Sequence, residues 1–309
     1  MKKFILSVFA FCLIPYIADF ALSAIIQRSS HRETESWYDL MHSQIDADVV
    51  IMGNSRAWIQ ISPIILDSIL GVETYNLGMD GSCANRQIHK YHLFRKYNRK
   101  PRMIIQNIDA WSLGYNTGYE KEQLYPYFWN WDMRNEFFES EPFTFWEKYV
   151  PVYRFRSFMP LRRGPKCLTK GYQGMEKPWD GSVFDKVKRI TFTPNDTTIK
   201  MFDKYLAEAK SEGITVVLVF TPQYIGATRK TTNQDYMHEW YKRLANRYDF
   251  PVMDYTYMDI SYDTAYFYNA MHLNRRGAEI FSDSLANAIK RLDGTSKKKS
   301  KEISKNNLK

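Results

Sequence analysis

Apolar positions along this chain form three kinds of pattern, and each predicts a different element. Positions 4–26 are almost unbroken apolar sequence, and a helix that crosses a bilayer needs roughly 20 such residues. Short runs at 49–52, 74–77, 103–108, 215–220 and 252–255, apolar throughout at 49–52 and after Thr215 at 215–220, predict strands. Between them, apolar residues recur at helical spacing over 63–70, 85–97, 196–209, 233–247 and 274–292. Strands that alternate with helices in this way predict a parallel sheet covered on both faces.

Two regions fall outside the alternation. Positions 27–46 are polar and read as a helical connector. From 111 to 190 the periodicity is lost: seventeen of the fifty residues from Trp111 to Pro160 are aromatic, and Pro126, Pro142, Pro151 and Pro160 interrupt them. This predicts an aromatic-rich insertion that caps the main domain rather than a second independent fold. The expected division is a membrane or signal segment at 1–30, one domain at 31–292 with the insertion at about 111–190, and a basic disordered tail at 293–309. No internal repeat is visible.

Charge sharpens the reading of both ends. Lys2 and Lys3 precede the apolar run and favour the cytoplasmic side, which sends the body outward. Asp19 interrupts the run, and a carboxylate costs about 2.5 to 3.5 kcal/mol at mid-bilayer but less near the interface. The segment therefore reads as a membrane anchor or, alternatively, as a signal peptide with small residues for cleavage at Ala21, Leu22 and Ser23. Either way the body is expected outside the cytoplasmic membrane. Of the net charge of +9, the tail from 295 to 309 supplies +5 through six Lys and one Glu, so the body is only mildly basic and carries no nucleic-acid motif. Cys83 and Cys167 are the cysteines of the body, leaving one disulfide open and matching no metal-ligand spacing.

Candidate chemistry collects at the strand ends, where ligands bind in parallel sheets. The first strand ends in Gly53-Asn54-Ser55-Arg56, so Ser55 is either a helix cap or a nucleophile. Before the last helix stands "YNAMHLNRRGAEIF", with Asn269 and His272 three apart and Asn274 placed to cap the helix. On a turn, that spacing lets the asparagine accept a hydrogen bond from the imidazole, as a histidine base needs.

Gly53-Asn54-Ser55-Arg56 resembles the first block of the SGNH, or GDSL-like, hydrolase superfamily, and Asn269-Ala270-Met271-His272 resembles its last block, Asp-x-x-His. Gly78 and Gly81 in "NLGMDGSC" look like the glycine of the second block. The resemblance runs from about Asp46 to Leu292, interrupted by the insertion. It implies a flavodoxin-like three-layer αβα sandwich and a serine esterase or O-acyltransferase site without cofactor or metal. Ser55 would be the nucleophile, His272 its base and Asn269 the orienting group. The amides of Ser55 and of Gly78 or Gly81, with Asn107 as a third donor, would bind the oxyanion. With the N-terminal segment, the chain looks like the branch acting on envelope polymers, such as alginate O-acetyltransferases or the D-alanyl transfer proteins of teichoic acids. That implies an acylated polysaccharide substrate, acetylated in the first place, and an export or modification complex as partner.

The chain departs from the family pattern at three places. Asn54 replaces an Asp, "QNIDAW" supplies Asn107 and Asp109 without the third block's glycine, and Asn269 stands where the family has Asp. In the serine-protease template the last change lowers turnover by about 10⁴ through the wrong histidine tautomer, yet papain-like enzymes work with Asn. A Ser-His dyad, a Ser-His-Asn triad, a carboxylate supplied by Asp263, and a non-catalytic glycan-binding or scaffold protein all stay open. Arg56 and Arg275 are candidates for an anionic substrate, and Trp129 and Trp131 for a sugar-stacking platform. His89 and His92 could form half of a metal site, but with no acidic companion in the pattern they read as surface residues.

Overall fold

The chain builds one five-stranded parallel sheet from β1 (Val49–Met52), β2 (Thr74–Asn76), β3 (Met103–Ile108), β4 (Thr215–Phe220) and β5 (Val252–Asp254), in the order β2-β1-β3-β4-β5. This is the doubly wound order of flavodoxin-like folds. The computed structural model describes residues 1–28, 35–116, 121–138, 141–156, 168–179 and 188–306. β1 and β3 are buried along their whole length; β1 is accordingly a continuous apolar run, whereas β3 also buries the polar Gln106 and Asn107.

Alternate strand residues feed two cores. Val50, Met52, Ile104, Val216 and Leu218 face α2 (Glu35–Met41), α5 (Ala84–Tyr97), α6 (Asp196–Ser211) and α7 (Gln234–Tyr248). Val49, Ile51, Ile105, Val217 and Val219 face α3 (Ser55–Gln60), α4 (Pro63–Leu70) and α8 (Arg275–Asn306). The result is the three-layer sandwich expected. β2 would be an open edge, but a hairpin of Leu168–Thr169 and Tyr172–Gln173 lies over it, with the Asn76 amide donating to the Lys170 carbonyl at 2.9 Å.

Besides that hairpin, the described part of the insertion has short helical turns, among them Lys121–Tyr127, Arg134–Phe138 and Phe145–Tyr149. Tyr125, Tyr127, Phe128 and Phe137 belong to the same core as α2 and α5. A long apolar helix, α1 (Lys2–Gln27), precedes everything and is apolar and long enough to cross a membrane. At the other end α8 does not stop near Leu292, as the sequence suggested, but continues to Asn306. No proline follows Leu292, and Lys and Glu are good helix formers, so Gly294 alone does not end the helix.

Candidate active site

The turn after β1 is built so that Ser55 is free. Gly53 holds φ at +146°, and a Cβ there would meet the Asn107 Cβ at 2.6 Å and the Ala57 Cβ at 2.8 Å. Only glycine fits this conformation and this space. Asn54 then caps α3: its Oδ1 accepts from the Arg56 amide at 3.0 Å, while its Nδ2 donates to Asp109 Oδ2 at 2.7 Å. Asp109 in turn accepts from the amide and hydroxyl of Ser112 at 2.8 and 3.0 Å. An Asp at position 54, as in the family block, would set two carboxylates against each other, so Asn is the matched partner for Asp109. The capping role that Ser55 could have taken belongs to Asn54.

Ser55 instead faces His272. Its Oγ lies 2.7 Å from His272 Nε2, across 217 positions of sequence. His272 opens the second of two short strands, Phe267–Asn269 and His272–Leu273, directly after the two-residue turn of Ala270 and Met271. Asn269 at the start of that turn accepts at one atom, Oδ1, from the Met271 amide at 2.9 Å and the His272 amide at 3.0 Å. Backbone N–H groups can only donate, so the atom they meet is the amide oxygen and not the nitrogen. The same oxygen lies 3.1 Å from His272 Nδ1. Nδ1 must therefore carry the proton, which leaves the Nε2 lone pair for the Ser55 hydroxyl. The wrong-tautomer penalty of an Asp-to-Asn change arises when the amide NH₂ meets the ring; two backbone donors prevent that here.

The ring is held neutral. Desolvation first, and then the nearby Arg56 charge, push the His272 pKa down to about 3. Tyr268 stacks on the imidazole at 5.4 Å with the rings 12° apart. Gln60, fully buried at the end of α3, donates to the Pro222 carbonyl at 3.1 Å, and the Tyr224 amide donates to the Ala270 carbonyl at 3.2 Å. These bonds tie the histidine turn to α3 and to the end of β4. Tyr268 and Gln60 had no motif to mark them; only the neighbourhood of His272 in sequence hinted at the first.

The oxyanion donors proposed from sequence separate. The amides of Ser55 and Gly81 have no hydrogen-bond partner among the described residues. Gly78 does not qualify, because its amide donates to Asn76 Oδ1 at 2.9 Å. Its glycine has a packing reason instead: a Cβ would come within 2.5 Å of the Trp58 nitrogen. Asn107 does not qualify either. It is fully buried beneath Gly53, with its Nδ2 turned to Thr221 Oγ1 at 3.3 Å and the Val219 carbonyl at 3.5 Å.

Several other candidates lie elsewhere. Arg56 stays beside the site but is paired with Asp109 at 3.5 Å, and Arg275 pairs with Glu176 at 3.1 Å. Asp263 is exposed and caps a short turn through the Ala265 amide at 2.9 Å, so it is not the missing carboxylate. Trp129 and Trp131 belong to the insertion, and none of their described contacts is with Ser55 or His272; the Trp129 indole donates to Asp19 of α1 at 2.7 Å. His89 and His92 do have an acidic companion, contrary to the sequence reading. One oxygen of Glu136 lies 3.0 Å from His89 Nδ1 and 3.5 Å from His92 Nδ1, and Glu208 is 3.7 Å from His92 Nε2. Those side chains come from the insertion and from α6, which the pattern on α5 alone could not reveal. Cys83 is buried with its thiol toward the Trp111 carbonyl at 3.4 Å; Cys167 lies outside the described residues.

No protein-family model matches the chain, and no curated protein matches it in sequence. Among solved structures it is similar to a GDSL-like lipase from Bacteroides thetaiotaomicron VPI-5482, at 12% identity and TM-score 0.40 over 86% of this chain and 99% of that one. It is also similar to a protein assigned to the G-D-S-L lipolytic family from Desulfitobacterium hafniense DCB-2, at 13% identity and TM-score 0.44 over 77% and 97%. A third likeness is to a candidate acylhydrolase from Bacteroides fragilis NCTC 9343, at 14% identity and TM-score 0.40 over 85% and 96%. These likenesses are distant.

Proposed function

We propose that this protein is an SGNH-type serine acyl hydrolase or O-acyltransferase that works through an acyl-enzyme on Ser55. The observation that carries the reading is the continuous chain Ser55 Oγ, His272 Nε2, His272 Nδ1, Asn269 Oδ1, with the tautomer fixed by two backbone donors. The Ser55 hydroxyl passes its proton to Nε2 as Oγ attacks the ester carbonyl. The tetrahedral oxyanion is met by the amides of Ser55 and Gly81, which have no partner among the described residues. The imidazolium then gives its proton to the leaving oxygen, and water or a second hydroxyl takes the acyl group from Ser55 by the reverse steps. Asn269 holds the imidazolium through a neutral acceptor, so it is stabilised less than by a carboxylate.

The substrate class we propose is an O-acylated polysaccharide, acetylated in the first place, met outside the inner membrane. The apolar helix α1 behind two lysines supports that location. Turnover of acetylated sugars and of p-nitrophenyl acetate by the full chain, abolished in both Ser55→Ala and His272→Ala, tests it. The second reading is a binding protein with a degenerate site, favoured by the neutral Asn269. Unchanged glycan binding by Ser55→Ala, with no turnover by either form, would select it.

A further inference from the structure

Along α1 the buried described positions are Asp19, Ser23 and Ile26, a stripe at helical spacing, and Leu22, Ala24 and Gln27 are partly buried beside it. Every described residue before Asp19 is exposed, including Phe4, Phe9, Phe11, Ile14 and Ile17. An apolar helix exposed all round is suited to lipid, whereas a stripe is suited to packing on protein. The two halves of α1 therefore have different surroundings, and the division falls at Asp19.

The stripe packs on the aromatic insertion. The Asp19 carboxylate accepts from the Trp129 indole at 2.7 Å and the Val152 amide at 2.6 Å, and it pairs with the Arg154 guanidinium. That guanidinium lies 4.3 Å from the Phe128 ring centre and 4.9 Å from that of Phe155. Gln27 donates to the Pro126 carbonyl at 2.6 Å, and the Tyr16 hydroxyl donates to the Tyr149 carbonyl at 3.2 Å. The carboxylate that looked costly in a membrane helix is thus removed from lipid by the insertion. Cleavage near Ala21 to Ser23 would take Asp19 away and leave Arg154 buried among aromatic rings without its carboxylate.

Continuous with this contact, the insertion exposes Trp131, Phe145, Trp146 and Tyr149, which are 71%, 64%, 56% and 59% accessible. A cavity of about 220 Å³ opens in the same face, with Arg134 and Lys148 among its aromatic lining. Aromatic rings beside basic side chains are the residues that occupy the headgroup level of a bilayer.

We propose that the insertion is a collar seated in the outer-leaflet headgroup region where α1 leaves the membrane, and that α1 is retained as a structural part of the mature protein. The aromatic side chains of the collar enter the interface, and Arg134 and Lys148 meet phospholipid phosphates. This rests on the reading that α1 crosses the membrane.

The test uses the full chain expressed in a bacterial host. Its membrane fraction is extracted with alkaline carbonate, its intact mass is measured, and the purified protein is placed in phosphatidylethanolamine/phosphatidylglycerol nanodiscs carrying nitroxide-headgroup lipid. We expect carbonate resistance, a mass that includes α1, and tryptophan quenching that is lost in W131F/W146F but kept in W111F. Trp111 is exposed too, but it lies after β3, against Phe192. Integral protein whose quenching is the same with and without Trp131 and Trp146 would overturn the collar and leave the anchor standing. Release by carbonate, or a mass that lacks α1, would overturn the anchor and the collar with it.

Discussion

Asn269 sets how His272 can work, and its effect is open to a direct test. Replacing it by Asp leaves the two backbone donors and the Nδ1 proton satisfied but adds a negative charge beside the ring, which favours the imidazolium. Asn269→Asp should therefore raise kcat and shift the acid limb of kcat/KM upward. Asn269→Ala, which frees the ring to take either tautomer, should lower kcat by about 10² or more. In the wild type the lowered His272 pKa keeps the base neutral far below the ordinary histidine value of 6.5. Activity should accordingly stay level from neutral pH through 6.5 and fall only as pH approaches the depressed value; an acid limb centred near 6.5 would contradict this. The folded protein should also lose stability as pH falls below 6.5, because the unfolded chain binds a proton there that the folded one refuses. At this scale the pair Ser55 and His272 was legible from motif order alone. The cap on Asn54 and the occupied amide of Gly78 were not, since each depends on a partner, Asp109 or Asn76, that no local pattern names.

The elements hold the site through close backbone approaches. Gly53→Ala would force a Cβ against Asn107 and Ala57 at a φ that L residues rarely adopt. A loss of about 2 kcal/mol or more in urea unfolding is expected, together with loss of activity. α5 is tied to the insertion by Glu136, whose pKa is lowered to about 2, first by the hydrogen bond to His89 and next by that to His92. A depressed carboxyl contributes stability that is complete above its ordinary value of about 4.5 and is lost as pH falls towards 2. Melting curves of Glu136→Gln should lie below the wild type at pH 6 and converge with it near pH 2. The strands were readable because burial on both faces makes them continuous apolar runs, as in Val49–Met52 and Thr215–Phe220. The insertion was not: its turns are held by contacts such as Tyr125 to Glu147 at 2.8 Å, which follow no period.

At the scale of the whole molecule, the apolar helix α1, the insertion and the sheet are one packed unit. Ile26 of α1 shares a core with Trp37, Tyr127 and the strand residues Val50 and Ile104. Asp19→Ala should destabilise the full chain in detergent by about 3 to 5 kcal/mol, because it leaves a buried guanidinium uncompensated. The double variant Asp19→Ala/Arg154→Met should recover much of that loss in thermal melts; a single variant that melts like the wild type would deny the buried pair its role. Asp19 looked from sequence like a flaw in an apolar run, since its partner is 135 positions away. The most direct test of the central claim weighs the whole molecule. Full-length protein in detergent is treated with a fluorophosphonate, and the intact mass is read beside Ser55→Ala and His272→Ala. One adduct on the wild type and none on either variant is the predicted result, because Oγ must lose its proton to Nε2 as the P–F bond breaks. No adduct on folded wild-type protein, or an adduct that survives Ser55→Ala, would contradict the account.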